Sequence, residues 1–390
     1  MHFPYPLVDR VVEVEPGVRV VGTKHVSANE PYFAGHFPGA PVLPGVMLCE
    51  ALVQLASHLV VAPGEGADAE EGPDLRLAAV EKARFRRPVL PGDTLRLEVT
   101  CRRPGPPWRL RGVASAGPAV VAEVELTAAP PPGPRIHPTA VVAPGAELGD
   151  GVRVSAYAVI GPRVRVGSGS WIGPHAVLQG RTTLGARCSV YQFASVGAVP
   201  QDLKYHGEAS TLEIGDGNVV REFASINPGT AAGGMVTRIG QGCLFMVSSH
   251  VAHDCQVGDR VVLANGAALG GHVRVEDYAI VGGLAGVHQF VRIGESALCA
   301  AGAMVSMDVP PFCTVAGDRA RLHGLNVIGL RRRGFDAATL SALKRAYRLL
   351  FQGPGGRREA LARARRTLGQ VPEVARLLDF LASSQRGVCR

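Results

Sequence analysis

Two stretches of the chain place an apolar residue at every sixth position. Between Ile136 and Gln201, eleven consecutive hexads (IHPTAV, VAPGAE, LGDGVR, VSAYAV and onward) each open on Val, Ile or Leu. Between Ile239 and Pro310 twelve more run without a slip, and only Phe245 and Cys299 open a hexad with another residue type. Such a repeat predicts a parallel β-helix with three short flat faces per coil, so that about eighteen residues complete one turn. The phase breaks at DLKYHGEAST (202–211) and at NPGTAAGGMVT (227–237). Insertions into a solenoid become loops on its outside, often at a binding face.

The N-terminal part has a different pattern. RVVGTKHV, LRLEVTC, WRLRGVAS and VVAEVEL alternate apolar and polar residues as half-buried strands do, and PGVMLCEALVQLASHLVVA (44–62) has the period of a helix. Its apolar face would be Met47, Leu48, Ala51, Leu52, Leu55 and Leu59, with a polar stripe of Glu50, Gln54 and His58 opposite. Several strands packed on one helix give an α+β domain. After about residue 320 the hexads stop and helical periodicity returns in FDAATLSALKRAYRLLF and RREALARARRTLGQVPEVARLLDFLA. The expected organisation is a domain at 1–127, a Pro-rich linker at 128–135 (within AAPPPGPRIHP), the β-helix at 136–320 and a basic helical cap at 321–390. PGEGADAEEGPD (63–74) reads as a loop inside the first domain.

Composition sharpens this picture at three points. Aromatics are 5% and glycines number 49 in 390 residues, which suits tightly stacked turns better than a helical bundle. The eight cysteines are dispersed with no C-x-x-C, so free thiols in a reducing compartment are expected, and the chain reads as cytoplasmic with no membrane-spanning run. The net charge of +8 is localised: residues 331–390 hold 14 Lys/Arg against 4 Asp/Glu, which leaves the remainder slightly acidic. A basic tail of this kind suits an anionic partner or a solvated helix face.

Coil arithmetic places candidate chemistry. The hexads opening at Val251, Leu269 and Val287 stack at one edge, and they contain His253, His272 and His288, with His250 just before. Asp254 beside His253 fits a base held in one tautomer by a carboxylate. Three histidines on such an edge also fit a zinc hydrase, and the residues alone leave both readings open.

From residue 136 to about 350 the chain resembles the UDP-N-acetylglucosamine O-acyltransferases that begin lipid A synthesis, the LpxA family. The resemblance rests on YQFASVG, QDLKYHGE, HVAHDCQVGD, LANGAALGGHV, VHQF, DVPPF and LRRRGF, in order and in register. It implies a homotrimer of left-handed β-helices with the site between subunits, a (3R)-3-hydroxyacyl-acyl carrier protein as donor, UDP-N-acetylglucosamine as acceptor, and neither cofactor nor metal. In that reading His253 is the general base on the sugar 3-hydroxyl, Asp254 orients it, and the Gly271 N–H stabilises the oxyanion. Gln201, Asp202, Lys204, His250, His272, His288 and Gln289 would bind the substrates, and Asn326 and Arg332 would reach the nucleotide from the cap. Ala301 lies near the position where side-chain bulk limits acyl length. Two positions depart from the family pattern: Asn227 stands where it usually has His, and Ile328 where it has Glu. The zinc reading then ranks last, because QDLKYHGE has no role in it.

In YFAGHFPGAPVLPGVMLCE and ARFRRPVLPGDTLRLEV, residues 4–127 resemble the hotdog-fold 3-hydroxyacyl-acyl carrier protein dehydratases, the FabZ family. That resemblance implies His36 as the base at Cα, Glu50 from the other subunit of a dimer as the acid on the departing hydroxyl, and N–H groups near Gly45 on the thioester carbonyl. A fusion of dehydratase and acyltransferase follows, with one donor for both halves. The alternative is a single acyltransferase whose hotdog domain only binds the carrier protein or sets assembly. Hotdog dimers joining β-helix trimers would permit a hexamer. No nucleic-acid partner is expected.

Overall fold

The N-terminal unit is organised by its helix. α1 (Gly45–Ala56) starts after Pro44 and buries Leu48, Ala51, Leu52 and Leu55. It stops at Ala56, sooner than its periodicity suggested, and Ser57–Leu59 tightens into a 3-10 turn that buries Leu59. Around it lie β1 (Arg10–Glu15), β2 (Arg19–His25), β3 (Arg76–Phe85), β4 (Thr94–Arg103), β5 (Trp108–Ala116) and β6 (Ala119–Ala129). They form one antiparallel sheet in the order β1-β2-β4-β5-β6-β3. Leu95, Leu97 and Val99 of β4 and Val124 and Leu126 of β6 are buried in the same core as the α1 side chains, as alternating strands require.

The computed structural model describes residues 6–59, 75–105, 107–129, 133–354 and 356–390. It divides at Pro132 into two units, Met1–Pro132 and Gly133–Arg390. The loop expected at 63–74 lies outside the described residues. At the junction, β6 continues into the segment read as a linker, because Ala128 and Ala129 still pair with Leu77 and Arg76 of β3. Arg135–Ile136, at the other end of that segment, is already a β-helix strand paired with Arg153–Val154.

The second unit is the parallel β-helix. Most coils contribute a two-residue strand to each of three sheets, which contain eleven, nine and eight strands. In most of these pairs the first side chain faces outward and the second is buried, as in Arg153–Val154, Val159–Ile160 and Arg165–Val166. The hexad openings therefore stack on themselves: Val154 pairs with Ile172 and Ile172 with Val190. Corners between sheets often take a left-handed backbone, including Asp254 (φ 60°), His272 (φ 63°) and Phe290 (φ 66°).

The last coil closes with an antiparallel pair, Cys313–Ala316 and Arg321–Leu325, before the helical cap of α2 (Val327–Arg332), α3 (Ala337–Tyr347), α4 (Arg357–Leu368) and α5 (Pro372–Ser383). Leu330, Leu343, Leu368, Leu377 and Phe380 pack there with Phe312 from the β-helix. Four of the tail's 14 basic residues are engaged within this region. Arg333 and Arg376 both pair with Glu295, Arg365 pairs with Asp379, and Arg357 donates to the Leu381 carbonyl. No described helix is long and apolar enough to cross a membrane.

Candidate active site

The Val251, Leu269 and Val287 hexads stack as neighbouring strands of one sheet. The histidines share that edge but occupy separate columns. Asp254, His272 and Phe290 are one coil apart and all take the left-handed corner, so the His272 ring stacks flat on Phe290 at 4.3 Å and 5°. His253 sits one residue earlier in the repeat, above Gly271, and meets His272 edge-on at 5.0 Å.

His253 is 7% exposed. Its Nδ1 lies 2.8 Å from Asp254 Oδ2. A carboxylate only accepts, so this nitrogen carries the proton and Nε2 is left with a free lone pair. Asp254 is fixed in turn: Oδ1 accepts from the Thr230 N–H at 2.9 Å, Oδ2 accepts from the Thr230 hydroxyl at 2.6 Å, and the Asp254 N–H donates to Thr237 Oγ1 at 2.8 Å. A Cβ on Gly233 would collide with the Asp254 carboxylate. Thr230 and Gly233 come from the second inserted loop. The broken hexad phase marked that loop, and the sequence reading assigned neither residue a role. Thr230→Val is expected to cost about 1–3 kcal/mol of stability by removing one donor from a buried carboxylate. Thr230→Ser should restore it, and urea unfolding of the two variants checks this.

A cavity of about 720 Å³ opens beside Nε2, and Gln201, His250, His253, Gly271, His288 and Gln289 line it. Six of the expected site residues thus share one space. Asp202 also approaches, with Oδ2 at 3.9 Å from His253 Nε2. Lys204 is exposed, and its backbone N–H donates to Asp202 Oδ1 at 3.0 Å, which shapes the loop. Asn227 is buried and donates through Nδ2 to the Ala198 and Val199 carbonyls at 3.0 and 3.4 Å. The residue that departs from the family pattern therefore ties the Gln201–Asp202 loop to the β-helix.

His288 Nδ1 lies 2.9 Å from Arg386 Nη2 and 3.0 Å from the Gln289 carbonyl. A guanidinium can only donate, so Nδ1 accepts, the carbonyl contact is no hydrogen bond in this tautomer, and Nε2–H is free to donate. Arg386 reaches the site because residues near the chain end run back along the last coil, where Asp308 pairs with Val388 and Arg386 Nε donates to the Ser306 carbonyl. In the sequence it was one of 14 basic tail residues, with no periodicity to single it out.

Asn326 and Arg332 do not join this cavity within the chain. Asn326 caps α2, accepting from the Gly329 N–H at 3.1 Å and donating to the Ser296 carbonyl at 3.0 Å, while Arg332 is exposed at the end of α2.

Burial lowers the pKa of His250 and of His272, with neighbouring His253 adding to the effect in both and Asp254 opposing it for His272. Both rings favour the neutral form. Because the folded values lie below the unfolded one, the unfolded chain binds more protons as pH falls, so stability held above about pH 6.5 is lost on acidification through the folded values. His250→Gln keeps a partner for Ser225, which lies 2.7 Å from His250 Nδ1. Urea midpoints measured from pH 8 to pH 5 should fall less steeply in this variant than in the wild type; parallel curves would contradict the assignment.

In the first unit, His36 lies in the loop before α1 with Nδ1 2.9 Å from the Val42 carbonyl. That bond puts the proton on Nδ1 and leaves Nε2 as the accepting nitrogen. Glu50, half-buried on α1, accepts from Gln54 Nε2 at 3.2 Å, and Gln54 Oε1 accepts from the Leu7 N–H at 2.8 Å. The polar stripe is thus an ordered network. His58 lies beyond the helix proper and is exposed. At Gly45 the Phe85 ring occupies the space that a Cβ would take, so this position admits only glycine without a shift of that ring.

The hexad-built β-helix, with a histidine held by a buried carboxylate at its corner, has the architecture of the hexapeptide-repeat proteins, and similarity to known proteins places it among their transferases. A family model described as bacterial transferase hexapeptide (six repeats) matches residues 237–271, and one described as UDP-N-acetylglucosamine O-acyltransferase, domain 2, matches 308–389. A FabA-like domain model matches 2–125. An acyl-(acyl-carrier-protein)-UDP-N-acetylglucosamine O-acyltransferase of Anaeromyxobacter sp. (strain Fw109-5) is 54% identical over 255 residues, covering 65% of this chain and 99% of that relative. Its counterpart from Myxococcus xanthus (strain DK1622) is 52% identical over 256 residues, covering 66% and 99%. Among solved structures, LpxA from Acinetobacter baumannii superposes with a TM-score of 0.63 at 38% identity, covering 65% of this chain and 99% of that one. The chain belongs to the UDP-N-acetylglucosamine O-acyltransferase family, and it carries an additional FabA-like domain in front.

Proposed function

We propose that the β-helix transfers a (3R)-3-hydroxyacyl group from acyl carrier protein to the 3-oxygen of UDP-N-acetylglucosamine, the first step of lipid A synthesis. The observation that carries this is the hydrogen-bonded chain Thr230–Asp254–His253, which ends on a free Nε2 facing the cavity. Nε2 takes the proton of the sugar hydroxyl as its oxygen attacks the thioester carbon. The oxyanion so formed would be met by the Gly271 N–H. Its collapse expels the carrier thiolate, which takes the proton back from His253. Backbone donors aimed at such an oxyanion typically contribute about 10²–10³ in rate. Gln201, Asp202, His250, His288 and Gln289 position the sugar nucleotide and the acyl hydroxyl.

The outer faces support a trimer. One face of the β-helix presents Glu147, Arg165, Glu213, Arg238, Gln256, Arg274 and Arg292. The other two present mainly uncharged residues, including Trp171, Val219, Leu244, Val262 and Ile280 on one and Val141, Val159, Val177 and Met304 on the next. Apolar faces of this extent mark interaction surfaces. Three copies, each covering one such face of its neighbour with its own second face, close a ring and leave the charged face to solvent. The His253 corner would then lie at the boundary between two subunits, and Arg332, exposed at the end of α2, would approach it from a neighbouring copy, with Asn326 holding the start of that helix. The protein would act in the cytoplasm.

For the first unit we propose a 3-hydroxyacyl-acyl carrier protein dehydratase. His36 Nε2 would remove the Cα proton, and Glu50 of a second copy would protonate the leaving hydroxyl. A base with a free accepting nitrogen in the loop before α1 and a carboxyl on α1 itself support this. The test supplies (3R)-3-hydroxyacyl-acyl carrier protein to wild type, His36→Ala and His253→Ala, with and without the sugar nucleotide. Enoyl product should vanish in His36→Ala while acylated sugar persists, and the reverse should hold for His253→Ala. Absence of enoyl product from wild type would leave the hotdog unit as a carrier-protein-binding or assembly module.

A further inference from the structure

Two of the imidazoles that line the His253 cavity carry opposite hydrogen-bonding polarity. Asp254 accepts from His253 Nδ1 at 2.8 Å, which leaves Nε2 of that ring an acceptor. Arg386 donates to His288 Nδ1 at 2.9 Å, which leaves Nε2–H of that ring a donor. A carboxylate sets one ring and a guanidinium the other.

The setting of His288 does not come from its own coil. Its Nδ1 also lies 3.0 Å from the Gln289 carbonyl, an oxygen that can only accept. Without the guanidinium that carbonyl favours Nδ1–H, and Nε2 becomes a second acceptor at the cavity wall. Arg386 therefore decides between two tautomers that differ in the place of one proton.

The chain end is tied down around Arg386. Its Nε donates to the Ser306 carbonyl at 3.0 Å, so the planar fork is fixed at two points, on His288 and on the coil that follows. The Ser384 hydroxyl donates to Asp308 Oδ2 at 2.8 Å, the Asp308 N–H donates to the Gly387 carbonyl at 3.0 Å, and the Cys389 N–H donates to the Asp308 carbonyl at 2.9 Å. Val388 and Cys389 are buried. Gly387 takes φ 79°, and a Cβ there would stand 2.7 Å from Met307 Cε, so the turn beside Arg386 is one that glycine makes without strain.

We propose that Arg386 is a positioning residue of the acyl-transfer site: it holds His288 as the Nε2–H tautomer, so that the cavity contains one accepting and one donating ring. This rests on the acyl-transfer reading above. An attacking hydroxyl has to give its proton to a single base. A second accepting nitrogen in the same space offers it a competing hydrogen bond away from His253, whereas an N–H there can only hold a substrate oxygen. Removal of Arg386 thus withdraws a donor and adds a rival acceptor.

The tautomers are read on the resting full-length chain, without substrate, by magic-angle-spinning NMR of protein labelled with nitrogen isotope in histidine, at a mildly alkaline pH where imidazoles are neutral. His288→Ala identifies the signals of His288. In wild type its unprotonated nitrogen should be Nδ1, in Arg386→Met it should be Nε2, and Arg386→Lys, which keeps a donor, should return it to Nδ1. In steady-state kinetics Arg386→Met should lower kcat/KM by about ten-fold or more, the worth of a misdirected hydrogen bond, and Arg386→Lys should recover much of it. In a His288→Ala background the Arg386→Met substitution should have no further effect. An unprotonated Nε2 in wild-type His288, the same tautomer in Arg386→Met as in wild type, or an equal loss with and without His288 would overturn the assignment. Because the tautomers are read without turnover, they test Arg386 even in a protein that leaves the sugar unacylated, a result that would count against acyl transfer alone.

Discussion

His253→Ala is expected to lower the rate of acyl transfer by roughly 10²–10⁴-fold, the range a positioned general base contributes. No other described imidazole can take over. His250 is turned to Ser225 through Nδ1, His272 is packed flat on Phe290, and His288 accepts from Arg386. The loss should fall on kcat, with KM for the sugar nucleotide little changed, because the alanine removes a proton acceptor and leaves the binding residues in place. Steady-state kinetics with both substrates varied reads this directly. Asp254→Asn should also lose most activity, because Oδ1 accepts from the Thr230 N–H and Oδ2 from His253, so an amide leaves one of these donors facing its NH2 group and the imidazolium without its stabilising charge.

Gly271→Ala should be nearly as damaging for a different reason. A Cβ at this position would stand 2.5 Å from His253 Cε1 and 2.6 Å from Nε2. Carbon and nitrogen do not approach so closely without a bond, so the ring has to move. Its other side is held by Asp254, which Thr230 and Thr237 fix in turn. Displacement of a reacting group by about 1 Å can cost on the order of 10²-fold in rate. The Gly271 N–H remains in the variant, so the loss reports the displaced base rather than a missing oxyanion donor. Gly271 is not among the residues with positive φ, so alanine fits its backbone, and the loss of stability should be confined to the over-packing of the His253 ring, about 1–3 kcal/mol. Full activity in Gly271→Ala would show that the base has room that the present geometry denies it.

These two residues also show how far the sequence could be read. The hexad period by itself put Val251, Leu269 and Val287 on neighbouring strands, because an interior one side chain wide tolerates only small shifts of register. That placed His253, His272 and His288 near one edge, while Gly271 entered only through the family resemblance. The period did not separate the His253 column from the Asp254–His272–Phe290 column, since that depends on the left-handed backbone at each corner. Thr230 and Gly233 lie in an insertion that has no period, so their contact with Asp254 follows from how the loop folds back onto the coil. Arg386 is about a hundred residues from His288 in sequence, and only the return of the chain past Asp308 brings them together. Net charge drew attention to the tail without showing that Glu295, Asp379 and His288 take up several of its arginines. In the first unit the α1 apolar face was legible from its period, whereas the Leu7–Gln54–Glu50 network depends on an N-terminal segment with no pattern of its own.

Acyl transfer driven by His253 and Asp254 is tested most directly by incubating the protein with (3R)-3-hydroxyacyl-acyl carrier protein and UDP-N-acetylglucosamine and identifying the sugar product by mass spectrometry and NMR. Wild type should yield a sugar nucleotide acylated at the 3-oxygen together with free carrier thiol, and His253→Ala should yield neither above background. A wild-type protein that leaves the sugar unacylated, or a His253→Ala variant that transfers as fast as wild type, would contradict it.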